Sequence, residues 1–124
     1  MAGITTRRLP SGWTAVVLEN EIMSVTLLPE KGSEVYSLVS RKHGVDLLWK
    51  SPWGLRKPVA YPDTTPGSET AWLDGYAGGW QELFPNGGEA CEYRGAQLGF
   101  HGEASVAPWL WTLDPRSVSG PGVL

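Results

Sequence analysis

The stretch WTAVVLENEIMSVTLL, residues 13–28, decides the fold class. Residues 13–18 and 22–28 are rich in β-branched and aliphatic side chains, which favour extended structure. Asn20 lies between these two runs, where a short hairpin turn calls for a residue that tolerates tight backbone geometry. The pattern predicts two antiparallel strands joined by a hairpin.

The residues that follow extend this hairpin into a meander. The Pro-Glu-Lys-Gly segment at 29–32 interrupts the strand pattern, and residues 34–39 resume it with Val35, Tyr36 and Val39. After a turn at His43-Gly44, residues 45–49 predict a fourth strand. The first half of the chain is therefore expected to be a four-stranded antiparallel sheet.

The second half is less regular. Hydrophobic periodicity fails over residues 51–79, where prolines and glycines recur at short intervals, so we expect a long ordered loop and no helix. Further strands are predicted over residues 90–93, 97–101 and 105–113. With seven tryptophans, 16 glycines and 10 prolines, the composition predicts an all-β, loop-rich protein.

Length and composition limit the domain organisation. The 124 residues, 41% of them hydrophobic and 19% charged, suit one folded domain with a modest core. We place that domain at residues 1–116. Residues 117–124 are rich in Ser, Gly and Pro and are expected to form a flexible tail.

Charge and cysteine content narrow the partners and the compartment. The net charge is −3 and basic residues occur only as scattered pairs, which argues against nucleic acid as a partner. Cys91 is the one cysteine, so an internal disulfide is excluded and a reducing compartment is favoured. No apolar run suggests a signal peptide or a membrane span. We expect a soluble cytoplasmic protein without a metal site or a cofactor.

Residues 78–88 combine aromatic and polar side chains in one loop. Trp80, Gln81, Glu82, Phe84 and Asn86 occur within seven positions, and glycines flank them on both sides. Amide and carboxylate groups both suit sugar hydroxyls, and an aromatic ring offers a flat wall. These residues predict a pocket for a small hydroxyl-rich ligand. The alternative is a packed loop with Trp80 and Phe84 in the core.

A second polar segment follows at residues 98–105. In a strand, His101, Glu103 and Ser105 would share one face of the sheet. Imidazole exchanges protons near neutral pH, and a neighbouring carboxylate could orient it. His101 is therefore the candidate catalytic residue. The alternative is a surface histidine with a coincidental neighbour.

Taken in order, these segments resemble the aldose 1-epimerase (galactose mutarotase-like) family over about residues 12–113. The resemblance is carried by the early meander, by Gly-Gly-Trp at 78–80 with Leu-Phe-Pro-Asn at 83–86, by Phe-His-Gly at 100–102 and by Trp109.

The resemblance implies a large β-sandwich (supersandwich) whose cleft binds a free aldose. It implies an isomerase that interconverts α and β anomers by acid-base ring opening, without a cofactor. His101 would face the ring oxygen, and Asn86 would contact the sugar. Where the family has Arg directly after Phe-Pro-Asn, this chain has Gly87, and Arg94 would take that role.

Other features of the family are not matched. The family's second histidine and its glutamate base lie far beyond its His-Gly motif, so the chain is expected to be an N-terminal portion lacking that base. Glu82 and Glu103 are the nearby carboxylates, and with Trp80 and Gln81 they complete the predicted binding residues.

Three interpretations stay open from the sequence. The first is an aldose 1-epimerase-like protein that carries part of the site. The second is a non-catalytic sugar-binding module. The third is a structural fragment whose exposed edge strands pair with a second copy or another partner.

Overall fold

The computed structural model describes residues 3–58 and 67–114, and the tail predicted over residues 117–124 lies outside them. The strands are β1 (Gly3–Arg8), β2 (Thr14–Glu19), β3 (Met23–Leu28), β4 (Glu34–Ser40), β5 (Val45–Asp46), β6 (Cys91–Tyr93) and β7 (Ala96–Leu98), with one helix, α1 (Ser68–Gly75), between β5 and β6.

Strands β1 to β5 form one antiparallel sheet in the order β1-β2-β3-β4-β5, so every neighbour in the sheet is also a neighbour in sequence. The hairpin at Asn20 confirms the sequence prediction. Its Oδ1 accepts hydrogen bonds of 2.8 Å from the backbone N–H groups of both Ile22 and Met23. The Asn20 side chain thus accepts from two N–H groups of the turn, which is the reason that Asn suits this position.

The core lies against β2 and β3. Trp13, Ala15 and Leu28 form its buried cluster, and Leu9, Tyr36 and Leu55 pack around it half-buried. The indole Nε1 of Trp13 donates a 2.7 Å hydrogen bond to the Arg56 carbonyl, which satisfies its polar edge inside this apolar setting.

A carboxylate ties β4 to the short strand β5. Asp46 accepts hydrogen bonds from Ser37 Oγ at 2.7 Å and from the backbone N–H groups of Leu38 and Leu48 at 3.1 and 3.0 Å. Lys50 Nζ lies 2.9 Å from the same carboxylate. Burial alone would raise the pKa of Asp46, but these hydrogen bonds outweigh burial and hold the pKa well below its usual range.

The prediction of no helix in the proline-rich segment is wrong for its last part. Helix α1 begins after Gly67, just past the last proline of that segment, and Glu69 in its first turn is well placed against the helix dipole. Two hydrogen bonds hold the helix against residues 100–105. Ser68 Oγ accepts from Phe100 N–H at 3.0 Å, and Trp72 Nε1 donates to Ser105 Oγ at 3.0 Å.

Strand β1 was not predicted and pairs along β2, from Gly3 opposite Glu19 to Arg8 opposite Thr14. The strand predicted over 105–113 is also wrong, since that segment forms turns and irregular backbone. There Pro108 has no N–H for a ladder, and the chain instead bonds across the β3–β4 connection, with Trp109 N–H donating to the Pro29 carbonyl at 2.9 Å.

The remaining strands are shorter than expected. Strand β5 stops at Asp46, and the predicted strand over 97–101 ends at Leu98. Strands β6 and β7 form a separate two-stranded sheet on which Cys91 is exposed. Residues 3–58 and 67–114 are thus mostly β with one short helix, as the composition predicts. Within the described ranges, no helix is both long and apolar enough to cross a bilayer.

Candidate functional site

The Gly-Gly-Trp segment lies directly against β4 and the chain after β5. Trp80 exchanges two backbone hydrogen bonds of 2.9 Å with Val35, and Gly79 N–H donates to the Trp49 carbonyl at 2.9 Å. Gly78 has φ +91°, and a Cβ there would lie 2.1 Å from the Trp49 carbonyl oxygen. Only glycine allows the backbone at position 78 to lie this close to Trp49. This close packing sets the position of Gln81.

Gln81 joins a buried ion pair beneath this segment. Lys31 Nζ pairs with Glu34 Oε2, and the side chains are 9% and 0% exposed. Gln81 Nε2 donates to the same Oε2 and to the Gly78 carbonyl, both at 2.9 Å. Glu34 Oε1 is buried without a hydrogen-bond partner among the described residues. Burial, followed by the charges of Glu34 and Asp46, raises the pKa of the Tyr36 hydroxyl.

Next to this pair is a narrow concave surface that we call the aromatic cleft, whose volume of about 20 Å³ has room for about one water molecule. Its walls include three aromatic residues, and its polar groups come from three others. The described lining residues are Trp13, Lys31, Trp72, Gly75, Tyr76, Gln81, Ser105 and Val106. Trp72 and Tyr76 stack with ring centroids 5.1 Å apart, and Trp49 continues the stack 6.0 Å beyond Tyr76. The stack fixes one wall of the cleft.

His101 borders this wall but not as part of a strand. Its backbone has φ +61°, in the left-handed region, and its N–H donates to the Gly88 carbonyl at 2.9 Å. The imidazole packs edge-on against Trp72 at 4.6 Å and beside Phe100 at 3.9 Å. Its Nδ1 is buried and has no hydrogen-bond partner in the described part of the chain.

The expectation that His101, Glu103 and Ser105 share a strand face is therefore wrong. The turn at His101 sends the chain away from β7, so Glu103 is exposed while Ser105 is buried against Trp72. The turn is held by a close approach at Gly102, where a Cβ would lie 2.2 Å from the Phe84 carbonyl oxygen.

Asn86 closes the loop that precedes this turn. Its Nδ2 donates to the Glu89 carbonyl at 3.1 Å and to the Gly99 carbonyl at 3.0 Å, while Oδ1 is buried without a partner within the described residues. Asn86 thus connects the Phe-Pro-Asn segment to the end of β7, and its side chain is engaged within the protein.

The other predicted residues lie outside the cleft lining. Trp80 is 56% exposed, and Glu82 and Glu103 are also exposed. Arg94, in the turn between β6 and β7, has φ +51° and places its guanidinium 5.2 Å from the ring of Tyr93. Among the predicted residues, Gln81 is in the described part of the cleft lining, while His101 packs against Trp72 outside that lining and Asn86 bonds within its own loop. The remaining four lie on exposed surface.

Several cleft residues were not predicted from the sequence. Trp72 and Tyr76 belong to the helix region that the prolines obscured, although the Ser-Glu-Thr-Ala-Trp-Leu run contains good helix formers. Lys31 and Glu34 are three residues apart at the start of β4. This spacing of opposite charges is the sequence feature that indicates the pair.

Residues 3–58 and 67–114 contain no group of three or more His, Cys, Asp or Glu side chains placed to hold a metal ion. Comparison of the chain with protein-family models, with curated proteins and with solved structures finds no match.

Proposed function

We propose that the protein binds a free aldose in the aromatic cleft and is an aldose 1-epimerase-like isomerase with a mutarotase-like β-sandwich fold. The observation that carries this proposal is the cleft itself, where stacked Trp72 and Tyr76 stand beside the anchored amide of Gln81. His101 packs edge-on against the same tryptophan, with ring centroids 4.6 Å apart, and is not among the residues that line the cleft.

A pyranose is larger than the space in this structure, so its binding would require the cleft to widen; two kinds of contact would then favour a sugar. An aromatic face packs well against the C–H groups of a pyranose, while polar groups at the edge meet its hydroxyls. Gln81 has both N–H groups bonded within the protein, so its Oε1 is the group left to accept from a sugar hydroxyl. Ser105, whose Oγ already accepts from Trp72, can donate its hydroxyl proton.

His101 would act as the acid that protonates the ring oxygen during ring opening. Donation of a proton by the neutral ring would leave an imidazolate, so the acid would be the imidazolium form, which transfers its Nε2 proton to the ring oxygen and is left as the neutral ring. Removal of the proton from the anomeric hydroxyl by a base would complete ring opening.

A non-catalytic sugar-binding module is the second candidate function. It is favoured by one observation: no carboxylate among the described residues is hydrogen-bonded to the His101 Nδ1, and Glu82 and Glu103 are exposed. In this case the cleft would hold the sugar without accelerating anomer exchange.

Two measurements on the same samples test these functions. Tryptophan fluorescence is titrated with galactose and glucose, and the exchange of α-galactose is followed by polarimetry. His101→Ala is compared with His43→Ala, which removes the exposed histidine of the β4–β5 turn. For the isomerase we expect saturable binding and an accelerated exchange that falls about 100-fold or more in His101→Ala alone.

The outcomes separate the candidates. Saturable binding with exchange at the buffer rate supports the module and refutes the isomerase. A titration that leaves the fluorescence unchanged, together with exchange at the buffer rate, refutes both.

A further inference from the structure

One face of the five-stranded sheet is apolar across its whole width. A row of register partners crosses β1 to β4 on this face and ends on the residue that follows β5, and every side chain in the row is aliphatic. The members of this central row are Ile4, Leu18, Val25, Leu38 and Leu47. The adjacent row points to the other face, because side chains alternate along a strand, and it is mostly polar. Its members are Thr5, Val17, Thr26 and Ser37.

Further apolar residues extend this face by two positions along the strands in each direction. They are Val16, Leu27, Val35, Met23 and Val45. Together with the central row we call them the aliphatic face. The polar residues in the same rows are Thr6 and Ser40, so these rows contain no charged side chain.

None of the described helices and strands covers the aliphatic face. The extensive contacts among these elements are those between paired strands, so neither α1 nor the sheet of β6 and β7 packs across it. No member of the central row is buried, Leu47 is 60% exposed, and Val16 is the one buried residue of the whole face. On the opposite face, Ala15 and Leu28 are completely buried in the core.

We propose that the aliphatic face is a dimer interface, which packs against the same face of a second copy of this chain. The inference goes beyond the proposed function, because the aromatic cleft lies on the other face of the sheet. Trp13 lines the cleft and belongs to the same buried cluster as Ala15 and Leu28. In the dimer the two sheets would lie about 10 Å apart, with their strands roughly aligned, as in a β-sandwich.

The size of the aliphatic face suits a dimer. The six residues of β2 span about 20 Å and the five strands span about 24 Å, so the face measures roughly 500 Å² in projection. The accessible area of side chains exceeds their projection, so two copies would bury about 1,000 Å² or more, which reaches the lower limit for a specific interface.

The chemistry of the aliphatic face favours a second copy over a charged partner. A charged partner would lose solvation against these rows without gaining an ion pair. A second copy related by a two-fold axis brings aliphatic groups against aliphatic groups and removes their area from water. Because both copies use the same surface, the contact closes at two.

Sedimentation velocity tests the dimer and its location. We expect the wild type to be a dimer at about 100 µM, with a Kd of about 10 µM or tighter. Val25→Lys places a charge at the centre of the face, on β3, and should weaken association about 100-fold or more. The control Thr5→Lys places the same charge on the opposite face of β1, where the residue is exposed, and should leave association unchanged.

A second variant covers the case in which Val25→Lys does not fold. Leu47 is already 60% exposed, so Leu47→Lys adds a charge to the aliphatic face without burying it in the monomer. We expect Leu47→Lys to weaken association about tenfold. Cooperative urea unfolding shows which variants are folded.

Three results would overturn the proposal. The first is a wild-type protein that stays monomeric at about 100 µM. The second is association that continues beyond two copies, since an isologous contact closes at the dimer. The third is wild-type association in folded Val25→Lys, or in Leu47→Lys where Val25→Lys does not fold. The sugar titration and the polarimetry are read separately, so failure of the dimer is distinguishable from failure of the proposed function.

Discussion

Replacement of Lys31 by Met should reveal how strongly the fold depends on its buried ion pair. The substitution retains most of the apolar stem and removes the charge that compensates Glu34, whose side chain is completely buried. A buried charge that loses its partner costs about 3–5 kcal/mol of unfolding free energy. For a chain of this size, that corresponds to a fall of roughly 12–20 °C in Tm.

A second substitution should largely restore the unfolding free energy that Lys31→Met removes. In Lys31→Met/Glu34→Gln the stranded anion is gone, and the amide oxygen introduced at position 34 can still accept from Gln81. We expect the double variant to lie within about 2 kcal/mol of the wild type, so Glu34→Gln should recover at least about 1–3 kcal/mol of the unfolding free energy lost in Lys31→Met. Urea unfolding followed by tryptophan fluorescence provides the free energies.

An exposed ion pair supplies the control. Arg8 and Glu30 lie 3.1 Å apart on the surface, with side chains 63% and 39% exposed. Arg8→Met should cost no more than about 1 kcal/mol, because solvent screens this pair. Equal costs for Arg8→Met and Lys31→Met, or additive effects at positions 31 and 34, would refute the reasoning.

Two further predictions concern the turn at His101 and the acid stability of the sheet. Gly102→Ala should lower the unfolding free energy by about 2 kcal/mol or more, because φ is +72° and the Cβ would meet the Phe84 carbonyl. The control Gly87→Ala has open space at its Cβ and should change the unfolding free energy by less than about 0.5 kcal/mol. Since the pKa of Asp46 is lowered in the folded state, its ionised form stabilises the protein above pH 3.8, the group's ordinary pKa, and the stabilisation is lost progressively below it. The stability difference between wild type and Asp46→Asn, measured by urea unfolding between about pH 6 and about pH 2.5, should therefore shrink as the pH falls; a constant difference would contradict this.

Local pattern was sufficient for the three central strands of the five-stranded sheet, but not for its edge strand β1. Strands β2, β3 and β4 and the hairpin at Asn20 lie where side-chain type and turn chemistry predict them, because each pairs with its neighbour in sequence. Helix α1 was missed because its eight residues are stabilised by contacts from elsewhere: Trp72 stacks on Tyr76 and bonds to Ser105. An isolated segment of that length has little helical tendency of its own.

The candidate site was predictable only in part. Of the residues that the sequence predicts for the site, Gln81 lines the aromatic cleft and His101 packs against Trp72 outside the lining. The strand face expected for His101 was wrong because the left-handed backbone at that residue depends on Gly102 lying against the Phe84 carbonyl. The i,i+3 spacing of Lys31 and Glu34 indicates a pair, but the burial of both charges is a tertiary property that the sequence does not show.

The order of the strands has a consequence for how the cleft assembles. In the meander, each strand pairs with its neighbour in sequence, so strand pairing closes short loops and should occur early in folding. The cleft also needs Trp72, Gln81 and Ser105, which reach Lys31 only when distant parts of the chain dock on the finished sheet. We therefore expect the binding surface to appear late in folding and to open first under native conditions. A ligand bound there would contact both the early-folding sheet and the segments that dock on it late, and it would therefore stabilise their docking.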